Sequence, residues 1–135
     1  MNELTLKIIT PDRTVFNGAL DSVNFGTSSG LIQILKKHCD YITDVYPSVV
    51  VIKEKGAVKK LAVSEGIFKL KNGEGVMLVK SSEYSDEIDV KRAEDALKRA
   101  KERLQEHKND IDENRARLSL KRAEIRIKAV LSRDE

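Results

Sequence analysis

Residues 1–83 predict a small β-sandwich or barrel built from short antiparallel strands, and residues 84–135 predict a two-helix hairpin. Three observations carry this division. All seven glycines and both prolines, Pro11 and Pro47, lie before residue 76, so the second part contains no helix breaker. Apolar and polar residues alternate with period two in the first part, between clusters of turn residues, and recur at helical spacing in the second. Charge is unevenly spread: residues 1–83 hold 11 basic and 9 acidic groups, residues 84–135 hold 14 and 13.

The strands follow in order. Leu4-Thr5-Leu6-Lys7-Ile8-Ile9 alternates and is stopped by Thr10-Pro11-Asp12. Val15-Phe16 reads as a short strand ended by Asn17-Gly18. Val23-Asn24-Phe25 leads into the turn Ser28-Ser29-Gly30, and Leu31–Leu35 follows. Val49–Ile52 and Leu61–Val63 flank Glu54-Lys55-Gly56. Ile67–Leu70 and Val76–Val79 flank Asn72-Gly73-Glu74-Gly75, a strong hairpin signature because Asn-Gly adopts the left-handed backbone that tight β-turns need. About eight such strands close a domain of about 80 residues.

Asp89 is placed to cap a helix that carries Val90, Ala93, Leu97, Ala100 and Leu104 on one stripe. The stripe is narrow and rich in alanine, so its partner must approach closely. Asp112 is the matching N-cap of a second helix running to about Leu131, after a polar break at Glu106–Asp110. The two helices repeat each other at an offset of 23: over 88–104 against 111–127, nine of 17 positions are identical, including an Ile-Asp-x-x-Arg-Ala start.

The repeat sets up two arginine rails. Arg92, Arg99 and Arg103 share an arc of the first helix; Arg115, Arg122 and Arg126 share one on the second, and Arg133 extends it. A hairpin brings like charges together, and they repel unless acids or an anion intervene. Guanidinium forks bind phosphate in a bidentate manner, so a nucleotide phosphate between the helices relieves that repulsion. Asp89 and Glu83 then serve as acceptors for ribose or base groups. The second helix has two opposed apolar stripes: Ala116, Leu120, Ala123, Ile127 and Leu131 on one side, Leu118, Ile125 and Ala129 on the other. Such a helix is sandwiched between partners or exchanges them. Residues 114–133 hold seven basic groups against Glu124 alone, which suits an acidic second partner.

Composition removes several functions. Aromatics make up 4% of the chain and Trp is absent, which argues against stacking-based nucleic-acid binding. No apolar run approaches the roughly 18 residues of a spanning helix. The opening MNELTLKIIT lacks the pattern of a secretory or transit peptide. Cys39 is the only cysteine and reads as a buried or half-buried thiol in a reducing cytosol; with only His38 and His107 as histidines, no metal site is expected. Two other functions fit the residues less well. An RNA-binding module would use the arginine rails, but total charge is nearly balanced at +3 and stacking rings are few. A hydrolase built on His38 lacks a nucleophile, base and orienting group in register.

Three stretches in order, Leu6–Arg13 (LKIITPDR), Ala62–Phe68 (AVSEGIF) and the Ile-Asp-x-x-Arg-Ala start at Ile88–Ala93, resemble the epsilon subunit of bacterial F-type ATP synthases over essentially the whole chain. One stretch departs: the family has Gly-Ile-Leu-Pro-Gly-His where this chain has Gln33-Ile34-Leu35-Lys36-Lys37-His38. The resemblance implies a ten-stranded antiparallel sandwich followed by the helical hairpin. It further implies a non-catalytic rotor subunit on the central stalk of a proton- or sodium-translocating enzyme. Its partners would be the gamma subunit, the membrane c-ring and the alpha and beta subunits, with no nucleic acid. Its location would be peripheral, at the cytoplasmic face of the bacterial inner membrane. The hairpin would fold beside the sandwich or extend into the catalytic head and block ATP hydrolysis, with Arg115, Leu118, Arg122, Ile125 and Arg126 as contacts there. No cofactor would be required; ATP would be a regulatory ligand of the folded hairpin, held by Glu83, Ile88, Asp89, Arg92, Ala93, Arg99, Arg122 and Arg126.

Overall fold

The structure, a computed structural model, describes residues 3–106 and 110–132. Ten strands form two five-stranded sheets, packed face to face, and two helices follow. One sheet has the order β2 (Thr14–Leu20), β1 (Leu4–Ile9), β9 (Glu74–Val79), β8 (Gly66–Lys71), β5 (Tyr41–Val45). The other has β10 (Ser82–Tyr84), β7 (Ala57–Val63), β6 (Ser48–Glu54), β3 (Ser22–Thr27), β4 (Gly30–Leu35).

Period-two alternation aims one side chain in two at the space between the sheets. Leu4, Leu6 and Ile8 of β1, Phe68 and Leu70 of β8, and Met77 and Val79 of β9 meet Val23 and Phe25 of β3, Val50 and Ile52 of β6, and Leu61 and Val63 of β7. Phe25 and Phe68 join the two sheets with ring centroids 4.9 Å apart and planes tilted by 55°, a geometry that suits the aromatic quadrupole. The Asn72-Gly73 turn forms as expected: both residues have positive φ, 52° and 79°, and a side chain at Gly73 would press on the Glu3 carbonyl.

The structure departs from the sequence expectations in five places. Asn17-Gly18 does not end a strand; both residues lie inside β2, paired with Lys7 and Leu6, because β1 supplies a full-length partner. Strands β5 and β10 are additional; β5 is an edge strand whose only buried residue is Val45, so its apolar alternation is weak. Pairing is not wholly antiparallel, since β1 runs parallel to β9. Cys39 is exposed, not buried, because it lies in the loop after β4, outside both sheets. The second helix begins at Asp110, which puts Asp112 inside the helix rather than at its N-cap. The break around His107 and the extension of the arginine row at Arg133 lie outside the described residues.

The Lys36-Lys37 substitution keeps a turn. Lys37 takes the left-handed backbone conformation, φ 69°, that glycine adopts freely, and Lys36 reaches Asp21 at 3.1 Å. Asp21 also accepts a hydrogen bond from the Lys55 backbone N–H at 2.9 Å. That bond and then the Lys36 ammonium hold its carboxyl below the usual range.

Helix α1 (Val90–Glu106) starts as predicted. The Asp89 carboxylate accepts a hydrogen bond from the Arg92 N–H at 3.1 Å, and the Asp89 carbonyl accepts one from the Ala93 N–H. Helix α2 (Asp110–Ser132) is sandwiched between α1 and the outer face of β6 and β7. This accounts for its two apolar stripes. Ile125 and Ala129 are buried in a cluster with Ala62 of β7, together with Ile88 and Ala93. Ala62 alternates with the inward-facing Leu61 and Val63, so it points out of the sandwich and is covered only because α2 lies on it.

Candidate functional site

Seven of the eight residues expected to hold a nucleotide line one cavity of about 370 Å³ between the hairpin and the sandwich. Glu83 enters from β10 and Ile88 and Asp89 from the approach to α1; Arg92, Ala93 and Arg99 come from α1 and Arg126 from α2. The floor is apolar, with Ile88 and Ala93 5% and 3% exposed. Its walls are charged: Arg92, Arg99 and Arg126 oppose Glu83, Asp89 and Glu87. Volume and lining suit a nucleotide, since small-ligand sites of roughly 300–1,000 Å³ combine apolar walls with a few convergent polar groups. The arginines offer bidentate donors for phosphate and the carboxylates offer acceptors for hydroxyl and amino groups.

The arginines are not all equally available. Arg126 Nε donates to Glu83 Oε1 at 2.9 Å, so an anion entering the cavity meets a guanidinium that already has a carboxylate partner. Arg122, the eighth expected residue, faces a neighbouring chamber of about 280 Å³ that shares Ala96, Arg99 and Arg126 with the first. Its guanidinium donates to Glu65 Oε1 and Oε2 at 2.9 and 3.1 Å and to the Ser119 hydroxyl at 3.0 Å. Sequence reasoning missed Glu65, Glu87 and Ala96. Glu65 stands in the recognised AVSEGIF stretch, but nothing in its spacing from Arg122 signals a pair that only docking of α2 creates.

The residues expected to touch the catalytic head are divided. Arg115 and Leu118 line a third chamber with Lys80 and Arg103. Ile125, by contrast, is 5% exposed in the cluster under α2, so in this folded form it is a docking residue of the hairpin. His38 is half-buried, with Nδ1 2.6 Å from the Cys39 carbonyl and its ring 5.7 Å from that of Tyr41; no acid is hydrogen-bonded to it among the described residues. No helix of the described residues is long and apolar enough to cross a membrane.

Comparison with known proteins agrees with the fold. The family model for the ATP synthase delta/epsilon chain β-sandwich domain matches residues 3–84, and that for the delta/epsilon chain long α-helix domain matches residues 86–130. The ATP synthase epsilon chain of Clostridium novyi is 42% identical over 100 residues, 73% of this chain and 76% of the relative. That of Clostridium acetobutylicum is 39% identical over 105 residues, 77% and 79% of the two chains. Among solved structures, a chain of the Euglena gracilis mitochondrial ATP synthase OSCP/F1/c-ring assembly superposes with a TM-score of 0.81 at 16% identity, covering 97% of this chain and 82% of that one. A chain of the Tetrahymena thermophila mitochondrial ATP synthase central stalk and c-ring gives 0.62 at 13% identity, covering 94% and 96%. Both are likenesses of fold. Ten strands in two sheets followed by two helices, matched along nearly the whole length by two family models and by relatives near 40% identity, show that this chain belongs to the ATP synthase epsilon-chain family.

Proposed function

We propose that the chain is a non-catalytic rotor subunit of a bacterial F-type ATP synthase, with residues 1–83 as the stalk unit and 84–135 as a regulatory hairpin. The sandwich joins gamma and the c-ring; the hairpin, when extended toward alpha and beta, obstructs ATP hydrolysis. The subunit is then peripheral to the inner membrane, held there through the complex.

One observation carries the regulatory part. The cavity has walls from three places: Glu83 on β10, Arg92 and Arg99 on α1, and Arg126 on α2. It exists only while the hairpin is docked. ATP bound there contacts the folded state and loses its site in the extended one, and a ligand biases an equilibrium by that difference in affinity. ATP thus holds the hairpin down when it is plentiful.

Two measurements test this. Removing the residues after about Asp86 raises ATP hydrolysis by the assembled enzyme; unchanged hydrolysis in an enzyme with an intact rotor removes the inhibitory role. Calorimetry on the isolated subunit detects ATP binding, weakened about tenfold or more by Arg92→Ala or Arg99→Ala, the loss of a charge-assisted phosphate contact. No binding at several millimolar ATP removes the ligand.

A further inference from the structure

The candidate nucleotide cavity is the near end of a longer trough. It shares Ala96, Arg99 and Arg126 with the second chamber, which in turn shares Arg103, Ser119 and Arg122 with a third of about 450 Å³. The three chambers therefore adjoin one another along the seam between α1 and α2. From Arg92 to Arg103 the seam climbs about 16 Å at 1.5 Å per residue.

Charge changes along it. The near end is mixed, with Glu83, Glu87 and Asp89 among its arginines. The far chamber is lined by Lys80, Arg103, Arg115 and Arg122 and by no acid. Glu65 borders it as the partner of Arg122, with Lys80 at 3.9 Å. Arg103 and Arg115, brought together from different helices, form no ion pair with any of the described residues. Glu65 answers Arg122 and Lys80, which leaves Arg103 and Arg115 as the cations without an acid; they favour an anion, and one extended along the seam rather than a compact one, because the arginines are spaced in a row.

We infer that this trough binds phosphate chains longer than a triphosphate, as a nucleoside tetra- or pentaphosphate or as linear inorganic polyphosphate, with Arg103 and Arg115 engaging the phosphates beyond the third. For the nucleoside ligands this rests on the nucleotide function proposed above, which seats the base end at Glu83 and Asp89. The polyphosphate ligand needs only the arginines.

The test is calorimetry on the full-length subunit with ATP, adenosine tetra- and pentaphosphate, inorganic tripolyphosphate and a longer linear polyphosphate. Adenosine pentaphosphate binds about tenfold more tightly than ATP, the effect of added charge-assisted contacts. Arg103→Ala with Arg115→Ala returns it to the ATP level and leaves ATP itself unchanged. Lys98→Ala with Lys101→Ala removes the same charge from exposed positions of α1 outside the trough and keeps the gain. Circular dichroism confirms that both double variants are folded. Equal affinity for ATP and pentaphosphate overturns the inference and leaves the nucleotide function standing. So does loss of the gain in both double variants, which marks general attraction to basic surface. A glutamate oligomer of matched charge that binds as tightly as polyphosphate overturns it too. Absent ATP binding with Arg103- and Arg115-dependent polyphosphate binding does the reverse: the nucleotide function falls and the polyphosphate site stands.

Discussion

Arg122 of α2 lays its guanidinium across the carboxylate of Glu65, 2.9 and 3.1 Å from the two oxygens. Glu65 lies in the short link between β7 and β8, so this pair ties the hairpin to the sandwich. Arg126 repeats the arrangement with Glu83 at 2.9 Å. Both arginines belong to the expected ATP set. The folded hairpin therefore pairs each of these arginines with a carboxylate of the sandwich.

Replacing Glu65 by Gln or Arg122 by Ala should destabilise the full-length chain by about 1 kcal/mol, since the pair is only partly shielded from water. Side-chain exposures of 29% for Arg122 and 20% for Glu65 argue against a larger value. Urea unfolding of both single variants and the double variant measures the coupling. A double variant that loses the full sum of the two single losses shows that the pair contributes nothing.

Ile125→Ser should undock the hairpin. It removes a buried side chain from contact with Ala62 and Ala129 and puts a hydroxyl in its place, at a cost of about 2–3 kcal/mol. Limited proteolysis should then cut within α1 and α2 while the sandwich survives. Equal resistance of variant and wild type would show that the apolar cluster does not hold the helices. The same change cannot report on the extended state alone, because Ile125 serves the folded one.

Gly66→Ala should destabilise the sandwich by about 3 kcal/mol or more, among the largest effects of any single methyl group here. A Cβ at Gly66 would lie 1.9 Å from the Leu78 carbonyl oxygen, and that backbone is fixed by the β8–β9 ladder. A shift in thermal midpoint of no more than one or two degrees would refute the clash.

Lys37→Gly should stabilise the chain by about 0.5–1 kcal/mol, because lysine holds a left-handed backbone there that costs glycine little. Lys36 can stay, preserving its contact with Asp21. Denaturant midpoints of variant and wild type decide it; a lower midpoint means that the Lys37 side chain contributes more than its backbone costs.

Local chemistry made much of this legible. Asn72-Gly73 announced a turn because its two residues need positive φ, and Asp89 announced a helix because its carboxylate can reach the Arg92 N–H. The arginine rails gave the seam between the helices, since spacing along a helix fixes which side chains share a face. What stayed hidden depended on partners distant in the chain. Asn17-Gly18 has the same composition as a turn but is held straight by β1. Strand β5 buries only Val45, so its alternation was too faint to register. The Glu65–Arg122 pair comes from docking, which no spacing within either element encodes.

The parallel pairing of β1 with β9 joins strands far apart in the sequence. β1 is the first strand to be synthesised, yet its place between β2 and β9 is completed only when nearly all of the sandwich sequence is available. Closing so long a loop carries an entropic cost before any contact repays it, and non-local pairings of this kind slow folding. Until β9 is available, the edge of β1 that it covers has no ladder partner. The helices emerge last, after the surface formed by β6 and β7 on which α2 settles.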